Sequence, residues 1–264
     1  MGRPRIALEE VSLTYLSPCG ATQALAGVSL EVHPGEFVSI VGPSGCGKST
    51  ILSLIAGILQ PTAGRVLLDG EPVTGPSQRV GYMLQRDYLF EWRTVRENCL
   101  VGPEVQGQDM ARARGRVARL LQKTGLSAFA DAYPDQLSGG MRQRAALVRT
   151  LAIDPDILLL DEPFSALDFQ TKLTLIDEVW SLLRAEHKTA LLVTHDISEA
   201  ISMSDRVIVL SRRPGTVKSV HEIRFAGPER PVPFRARSAP EYGGYFHRIW
   251  SELDPPGEVN RSVG

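Results

Sequence analysis

Short runs in which apolar and polar residues alternate open the chain. The stretches IALEEVSLTY, LAGVSLEV and EFVSIV lie between Ile6 and Val41, and the breaks SPCGAT and HPGE separate them. Alternation on a two-residue period predicts strands with one buried face, and breaks rich in glycine and proline predict turns. We therefore expect an antiparallel sheet at the start of the fold.

The middle of the chain follows a helical period. We predict an apolar helix over Ser49–Leu59 and strands over Arg65–Asp69 and Arg79–Met83. From about Asp87 to Ala152 the apolar positions keep the spacing of an α-helix throughout. Residues 87–152 are therefore expected to form an inserted helical layer.

Strands and helices alternate in the next part of the chain. This rhythm predicts an α/β fold with a mostly parallel sheet and helices on its faces. The predicted elements are strand Ile157–Asp161, helix Phe169–Glu186, strand Thr189–Thr194, helix Ile197–Met203 and strand Arg206–Leu210. We expect residues 1–224 to form one domain. Residues 225–264, rich in proline, glycine and arginine, are expected to form a partly ordered tail with one or two helical turns at YFHRIWSEL.

Composition narrows the function classes. The chain has 264 residues, 43% of them hydrophobic, so it can bury a full core. Its 29 Lys and Arg nearly balance its 30 Asp and Glu, so no net positive field would attract nucleic acid, and we do not expect nucleic acid as a partner. Three scattered cysteines argue against disulfides or zinc and for a reducing compartment. No apolar run approaches the roughly 20 residues of a membrane span, and we expect no export signal or lipid anchor.

The stretch GPSGCGKST follows an apolar strand and precedes a helix. Glycines in this context let backbone N–H groups converge on phosphate oxygens, and the helix N-terminus adds its positive end. Lys48 would reach the terminal phosphates, and Ser49 would offer its hydroxyl to Mg²⁺. Against the alternative of a chance glycine turn, the context favours a phosphate-binding loop made of Gly42, Pro43, Ser44, Gly45, Cys46, Gly47, Lys48, Ser49 and Thr50. The same helix N-terminus would lower the pKa of Cys46, so that alkylation blocks the activity of the site and its bound phosphate ligand prevents the reaction. The alternative, which we favour, is that Cys46 simply fits the loop.

Three further positions place polar groups just after apolar strands. Asp161 and Glu162 end ILLLDE, where one carboxylate can hold a metal ion and the other can activate water. His195 follows LLVT and can contact a terminal phosphate, and Gln85 follows VGYML and can reach Mg²⁺ or the attacking water. Taken singly, each is also compatible with a solvated strand end, a structural histidine or an ordinary loop residue. The phosphate-binding loop favours the catalytic interpretation.

Two adjacent glycines begin the helix predicted in DQLSGGMRQRAALVRT. Glycine weakens a helix, so its presence there requires a reason. Ser138 as the N-cap, with the bare backbone of Gly139 and Gly140, presents N–H groups and a helix dipole to an anion.

Taken together, these motifs resemble the ATP-binding subunit of an ABC transporter over about Ile6–Val220. The resemblance rests on their order along the chain: the phosphate-binding loop, Gln85, LSGGM, ILLLDE, SALD (Ser165–Asp168) and His195. It implies a P-loop NTPase fold of the RecA-like kind, with an N-terminal antiparallel subdomain and an inserted helical subdomain. It also implies ATP and Mg²⁺ as ligands, and ATP hydrolysis as the activity.

The resemblance further implies a head-to-tail homodimer, in which Ser138, Gly139 and Gly140 of one chain close on the γ-phosphate of ATP held by the other. It implies that Tyr15 stacks on adenine, although an aromatic residue at a strand end is also compatible with a core position. Asp161 would hold Mg²⁺ together with Ser49 and Gln85. Glu162 would be the general base, and Asp168 would link the two sites. Where the commonest signature ends in Gln this chain has Met141, which hydrogen-bonds poorly.

Three segments, SGGMRQR, WRTVREN and SRRPGTV, are similar to the nitrate, sulfonate and taurine importer branch. In that branch the subunit lies at the cytoplasmic face of the inner membrane, bound to an integral membrane permease that an extracytoplasmic substrate-binding protein supplies. A permease helix would dock beside Gln85, against Tyr88, Leu89, Phe90 and Trp92. The alternative is that these four residues belong to the core of the helical layer.

Two other classes of protein fit the sequence less well. A soluble ABC-type ATPase of DNA repair carries a long coiled-coil insert before the signature, but Gln85 to Ser138 is too short for one and lacks heptads. Translation-type members carry two ATPase domains, whereas this sequence shows one. A small-molecule kinase would leave the glycine signature without a task.

Overall fold

The computed structural model describes residues 2–18, 20–227 and 229–253. The strands of this part are β1 (Ile6–Ser17), β2 (Gly20–Val32), β3 (Phe37–Val41), β4 (Ala63–Leu68), β5 (Glu71–Pro72), β6 (Val80–Met83), β7 (Ile157–Asp161), β8 (Thr189–Val193), β9 (Arg206–Leu210) and β10 (Val217–Glu222). Its α-helices are α1 (Lys48–Ile55), α2 (Val95–Val105), α3 (Met110–Lys123), α4 (Gly139–Ala152), α5 (Phe169–Ala185), α6 (Ile197–Met203), α7 (Pro233–Ala236) and α8 (Tyr242–Leu253). The chain divides into two compact units, Met1–Gly75 with Leu191–Gly264, and Pro76–Ala190.

The first unit begins with the predicted antiparallel sheet. Its strand order is β2-β1-β4-β5, and Ile6 of β1 pairs with Val32 of β2 and with Leu68 of β4. Ile6 and Leu8 of β1 are buried two positions apart, as alternation requires, and Val11 is also buried because the register shifts between Leu8 and Val11. This sheet confirms the expectation for the first two alternating runs, whereas the third, EFVSIV, forms β3 of the other sheet and was wrongly assigned to this one.

A second group of strands in this unit follows the order β10-β9-β3-β8, with Leu191–Val193 of β8 belonging to the unit. All five residues of β3 are buried, and β3 runs parallel to β9. Strand β10 pairs with β9 in the antiparallel direction and was not among the predicted elements. Its residues alternate between half-buried and exposed, a signal that was present in the sequence as VKSVHE.

The C-terminal helices belong to the same unit. Ile249 of α8 is buried in an apolar cluster with Ile197, Ala200 and Ile201 of α6, and with Val207 of β9. Helix α8 has 12 residues, more than the one or two turns expected from YFHRIWSEL, because its apolar face packs on this cluster. Residues 254–264 of the predicted tail lie outside the described residues.

The second unit contains the parallel pair β6 and β7 and the helices α2 to α5. Helix α2 begins at a capping box, in which Thr94 accepts from the Glu97 N–H and Glu97 accepts from the Thr94 N–H. The expectation of helix throughout 87–152 is wrong for residues 87–94, which precede that cap and are irregular. Between α3 and α4 the chain forms only the short 3₁₀ turns Ser127–Phe129 and Pro134–Gln136.

Candidate functional site

The first unit carries the phosphate-binding loop, between buried strand β3 and helix α1. Gly45 (φ 74°) and Gly47 (φ 102°) adopt left-handed conformations that favour glycine, and Gly47 is the N-cap of α1. A Cβ on Gly47 would lie 2.5 Å from Leu25 Cδ2. The loop therefore requires glycine here for both backbone conformation and space, and the chance-turn alternative does not account for these requirements.

Lys48 is folded back over the loop. Its side chain is buried, and Nζ donates to the carbonyl oxygens of Gly42 (2.8 Å) and Pro43 (2.9 Å). These contacts hold the ammonium against the loop at the start of α1, where the helix dipole adds positive potential. Two left-handed glycines, a helix N-terminus and a fixed ammonium form a cradle that fits the phosphates of a nucleotide.

The expected low pKa of Cys46 is wrong. The side chain is 1% exposed, and burial raises the pKa of the thiol, although Lys48 works in the opposite direction. The helix N-terminus favours a thiolate, but desolvation of the charged form outweighs it. Cys46 fills the space beneath the loop, where a Cβ added to Gly42 would lie 2.8 Å from its Sγ.

Two other predicted residues lie in the first unit. Tyr15 is 44% exposed near the end of β1, and its hydroxyl lies 3.2 Å from Thr50 Oγ1 in the first turn of α1. The core alternative for Tyr15 is therefore excluded. His195 is exposed and follows β8, directly before Asp196, the N-cap of α6.

In the second unit, Gln85 and Glu162 come together. Asp161 is buried at the end of β7, and Glu162 follows it with φ 48°, a conformation that non-glycine residues rarely adopt. Gln85 Nε2 lies 3.4 Å from Glu162 Oε2. The backbone therefore turns sharply between two adjacent carboxylates, which gives them different environments. The oxygen donors of Asp161, Gln85 and Ser49 are of the type that Mg²⁺ prefers.

Sequence reasoning missed Gln143 of α4. Its Nε2 donates to the carbonyl oxygen of Glu162 (3.3 Å), and its Oε1 accepts from the N–H of Ala166 (3.2 Å). Gln143 thus ties the chain that carries Glu162 to the helix that begins with the glycine signature. The sequence signal was a glutamine on the face of α4 that buries mostly apolar residues.

The glycine signature begins α4 as predicted. Ser138 is the N-cap, and its Oγ accepts from the N–H of Met141 (3.3 Å). A Cβ on Gly140 would lie 2.9 Å from Leu167 Cδ2, so a side chain at 140 would require the end of the Leu167 side chain to move. A Cβ on Gly139 would meet nothing within 4 Å, and Gly139 does not have a positive φ. Neither backbone conformation nor space within the chain requires a glycine at 139.

Asp168 is the N-cap of α5. Its carboxylate accepts from Thr171, through the N–H at 3.0 Å and through the side chain, and these hydrogen bonds lower the pKa of Asp168. The structure therefore gives Asp168 a local capping role.

The segment that follows Gln85 is irregular but well anchored. Arg149 donates to the carbonyl oxygens of Asp87 and Tyr88, and Arg142 forms an ion pair with Asp87. Buried Asn98 accepts from the N–H of Phe90 (2.7 Å) and donates to the carbonyl oxygens of Phe90 (3.1 Å), Arg93 (2.9 Å) and Thr94 (3.0 Å). The sequence pattern alone predicts no role for Arg149 or Asn98.

A cavity of about 500 Å³ opens beside this segment. It is lined by Gln85, Arg86, Asp87, Tyr88, Leu89, Glu91, Gly139, Arg142, Gln143 and Ala166. Tyr88 is 57% and Trp92 74% exposed, whereas Leu89 is buried. Membership of the helical-layer core is therefore correct for Leu89 and wrong for Tyr88 and Trp92.

Comparison with known proteins identifies the class. The family model described as ABC transporter matches residues 25–165. Two relatives are the uncharacterized ABC transporter ATP-binding protein YtlC of Bacillus subtilis (46% identical, covering 94% of this chain and 95% of that one) and the taurine import ATP-binding protein TauB of Ruegeria pomeroyi (41%, covering 84% and 83%). The dimeric structure of the ATP-binding cassette MJ0796 bound to ADP and Pi superposes with a TM-score of 0.76 at 32% identity, covering 84% of this chain and all of that one.

The chain belongs to the ABC transporter family. It has the P-loop NTPase fold of an ABC cassette, with an antiparallel N-terminal sheet and a mixed sheet of mostly parallel strands, and it is an ATP-binding subunit with ATPase activity. None of the helices in the described part of the chain is long and apolar enough to cross a membrane.

Proposed function

We propose that this subunit hydrolyses ATP to power the import of a small solute, of the nitrate, sulfonate or taurine type, through a separate membrane permease. Support comes from the relatives named as taurine import ATP-binding proteins. It also comes from the segments SGGMRQR, WRTVREN and SRRPGTV. We place cargo selection in the permease and in an extracytoplasmic binding protein, not in this chain.

The chemistry is ATP hydrolysis by an activated water. The loop Gly42–Thr50 binds the phosphates, Lys48 neutralises charge on the terminal phosphates, and Tyr15 stacks on the adenine. Glu162 is the general base, and Gln85 and His195 orient the water and the γ-phosphate. Ser49, Gln85 and Asp161 would hold Mg²⁺, which neutralises developing charge on the phosphate oxygens when bound.

A second copy of the chain completes the site. Gly139 is the observation that supports this step, because position 139 faces open space and nothing within its own chain requires glycine there. Glycine there suits an approach by something outside the chain, at a helix N-terminus whose dipole attracts an anion. We infer a head-to-tail homodimer in which Ser138, Gly139 and Gly140 contact the γ-phosphate of ATP held by the partner, with Asp168 near the interface. The dimeric cassettes among similar structures support this arrangement.

The permease docks on the cavity beside Gln85. Exposed Tyr88 lines this cavity, and exposed Trp92 lies four residues further along the same segment. Arg149 donates to the carbonyl oxygen of Tyr88, and Arg142 pairs with Asp87, so both hold the segment in place. Aromatic side chains around a rigid concave surface are typical of binding sites for a partner helix. Docking would place the subunit at the cytoplasmic face of the inner membrane as a peripheral protein.

Affinity capture from detergent-solubilised native membranes tests the proposal. A tagged Glu162→Gln chain, purified with ATP and without it, should recover a polytopic membrane protein identified by mass spectrometry. Trp92→Ala in the same background should reduce that recovery several-fold, while Trp180→Phe, a change at a buried position outside the cavity, should not. Recovery of ribosomes or DNA-bound proteins instead of a membrane protein would support a soluble ABC-type ATPase and contradict the transport proposal.

A further inference from the structure

Helix α6 directly follows His195. Asp196 caps the helix by accepting from the N–H groups of Ser198 (2.8 Å) and Glu199 (3.4 Å). Thr194, on the other side of His195, donates to Glu199 Oε2 (2.6 Å) and accepts from the Asp196 N–H (3.0 Å). The backbone on both sides of His195 is therefore fixed to the first turn of α6, and a shift of that turn moves His195.

The C-terminal segment, residues 229–253, contacts this first turn. Half-buried Tyr242 of α8 packs against the apolar cluster that includes Ile197 and Ala200 of α6. Burial raises the pKa of Tyr242, and a hydrogen bond with the side chain of Ser198, one position beyond the start of α6, works in the opposite direction.

The same segment holds the middle and the end of α6. Ile249, which is fully buried, packs in one cluster with Ile197 and Ile201. Arg230 donates to the carbonyl oxygens of Ile201 (3.0 Å) and Ser202 (3.2 Å), which lie in the last turn of the helix. A cation at this end also interacts favourably with the helix dipole.

Helix α8 is itself anchored to strand β10. Glu252 accepts from Ser219, and its Oε1 lies 3.1 Å from His221 Nε2. Lys218 Nζ donates to the carbonyl oxygen of Glu252 (2.7 Å). Helix α8 is therefore held by β10 as well as by α6, so the C-terminal segment can keep α6 in one position.

We propose that the C-terminal segment fixes α6 and thereby sets the position of His195, with Tyr242 as a positioning residue for ATP hydrolysis. The inference rests on the proposed contact between His195 and the γ-phosphate. It gives the residues after β10 a task in catalysis.

Steady-state ATPase kinetics of the full chain test the proposal. Tyr242→Phe removes only the hydroxyl, and we expect kcat to fall about two- to tenfold, the worth of one hydrogen bond, with KM for ATP little changed. The matched control is Tyr245→Phe on the same helix. The Tyr245 hydroxyl donates to the carbonyl oxygen of Arg224 and not to α6, so this variant should keep full activity. An unchanged kcat for Tyr242→Phe, in a chain that melts at the wild-type temperature, overturns the inference.

A double-mutant cycle with His195→Ala separates this inference from the proposed function. If Tyr242 acts through His195, Tyr242→Phe should not slow the His195→Ala chain further. An equal further loss in that background overturns the inference alone. Full activity of His195→Ala overturns the proposed role of His195 and this inference with it.

NMR of the histidine side chains gives an independent test of whether Tyr242 positions His195. The His195 resonance, assigned by its loss in His195→Ala, should shift in Tyr242→Phe and stay in place in Tyr245→Phe. An unmoved His195 resonance in Tyr242→Phe counts against the positioning role even where kcat has fallen.

Discussion

At the residue scale, the glycines of the phosphate-binding loop and of the signature differ in what the chain demands of them. Gly47 is required by its own backbone, because φ is positive and a Cβ would overlap Leu25. A side chain at Gly140 would require Leu167 to move, and Gly139 has no such constraint within the chain. The proposed contact with a second chain would account for glycine at 139. For Cys46 the surroundings within the chain decide the outcome: burial raises the pKa of the thiol, although a helix N-terminus would lower it.

The first prediction concerns thiol reactivity. Cys46 and Cys99 are buried, and burial raises the pKa of both thiols, that of Cys99 to about 12. Because the thiolate is the reactive form, iodoacetamide at pH 8 should modify both cysteines at least tenfold more slowly than in the urea-unfolded chain. Peptide mass spectrometry measures the two rates. Rapid labelling of Cys46 in the folded chain would restore the low-pKa interpretation.

At the element scale, the segment 84–94 shows how a loop becomes rigid without secondary structure. Asn98 supplies, from the first turns of α2, the hydrogen-bond partners that a helix or strand would have supplied. Arg149 of α4 does the same for Asp87 and Tyr88. The segment is held in a single shape, which suits a surface that a partner helix must recognise.

The second prediction follows from that network. Asn98→Ala removes the partner of the Phe90 N–H and of the Arg93 carbonyl oxygen, while the carbonyl oxygens of Phe90 and Thr94 keep backbone donors, so the free energy of unfolding should fall by roughly 2–4 kcal/mol in urea denaturation. Glu104→Ala on the same helix removes only a surface ion pair with Arg93 and should cost about 0.5 kcal/mol or less. Equal losses for the two variants would mean that the Asn98 network is not what stabilises the segment.

At the scale of the whole molecule, each compact unit carries an incomplete set of nucleotide-directed groups. The phosphate-binding loop, Tyr15 and His195 belong to the first unit, and Gln85, Asp161, Glu162 and the glycine signature belong to the second. The proposed dimer adds the signature of a second copy. In that proposed dimer, ATP binding would close an interface between chains and hydrolysis with product release would reopen it, which is how a chemical step would drive movement of a permease.

The third prediction tests that dimer. Glu162→Gln should bind ATP without hydrolysing it, and light scattering should show a dimer with ATP and a monomer without nucleotide. Adding Gly139→Val should abolish the dimer, because a branched side chain then occupies the space meant for the partner. The substitution fills open solvent in the single chain, so its unfolding free energy should change by no more than about 0.5 kcal/mol. A Glu162→Gln chain that stays monomeric in saturating ATP contradicts the model of two shared sites.

Elements with a strong local period were predictable from the sequence. Strand β7 (Ile157–Asp161), helix α6 (Ile197–Met203) and strand β9 (Arg206–Leu210) have the predicted bounds, because apolar runs ended by turn or cap residues define them locally. Helix α1 ends at Ile55, four residues before the predicted Leu59, since the apolar run continues past the last helical hydrogen bonds. Strand β10 was missed although it forms an antiparallel hairpin with β9, because none of its residues is fully buried and its pattern is weak. The irregular residues 87–94 were missed because Arg149, which holds Asp87 and Tyr88, lies 62 and 61 residues away from them.

The sequence by itself determined the order of the motifs, and through it the family, the ATP-binding fold and the candidate residues. It did so because phosphate binding needs particular residue types at fixed short spacings, which a local pattern records. Only the tertiary structure decided that Cys46 is a buried thiol of raised pKa, that Gly139 faces open space while Gly140 packs on Leu167, and that α8 holds α6 beside His195. Burial, free space and long-range hydrogen bonds depend on which distant residues meet, and no local spacing encodes that.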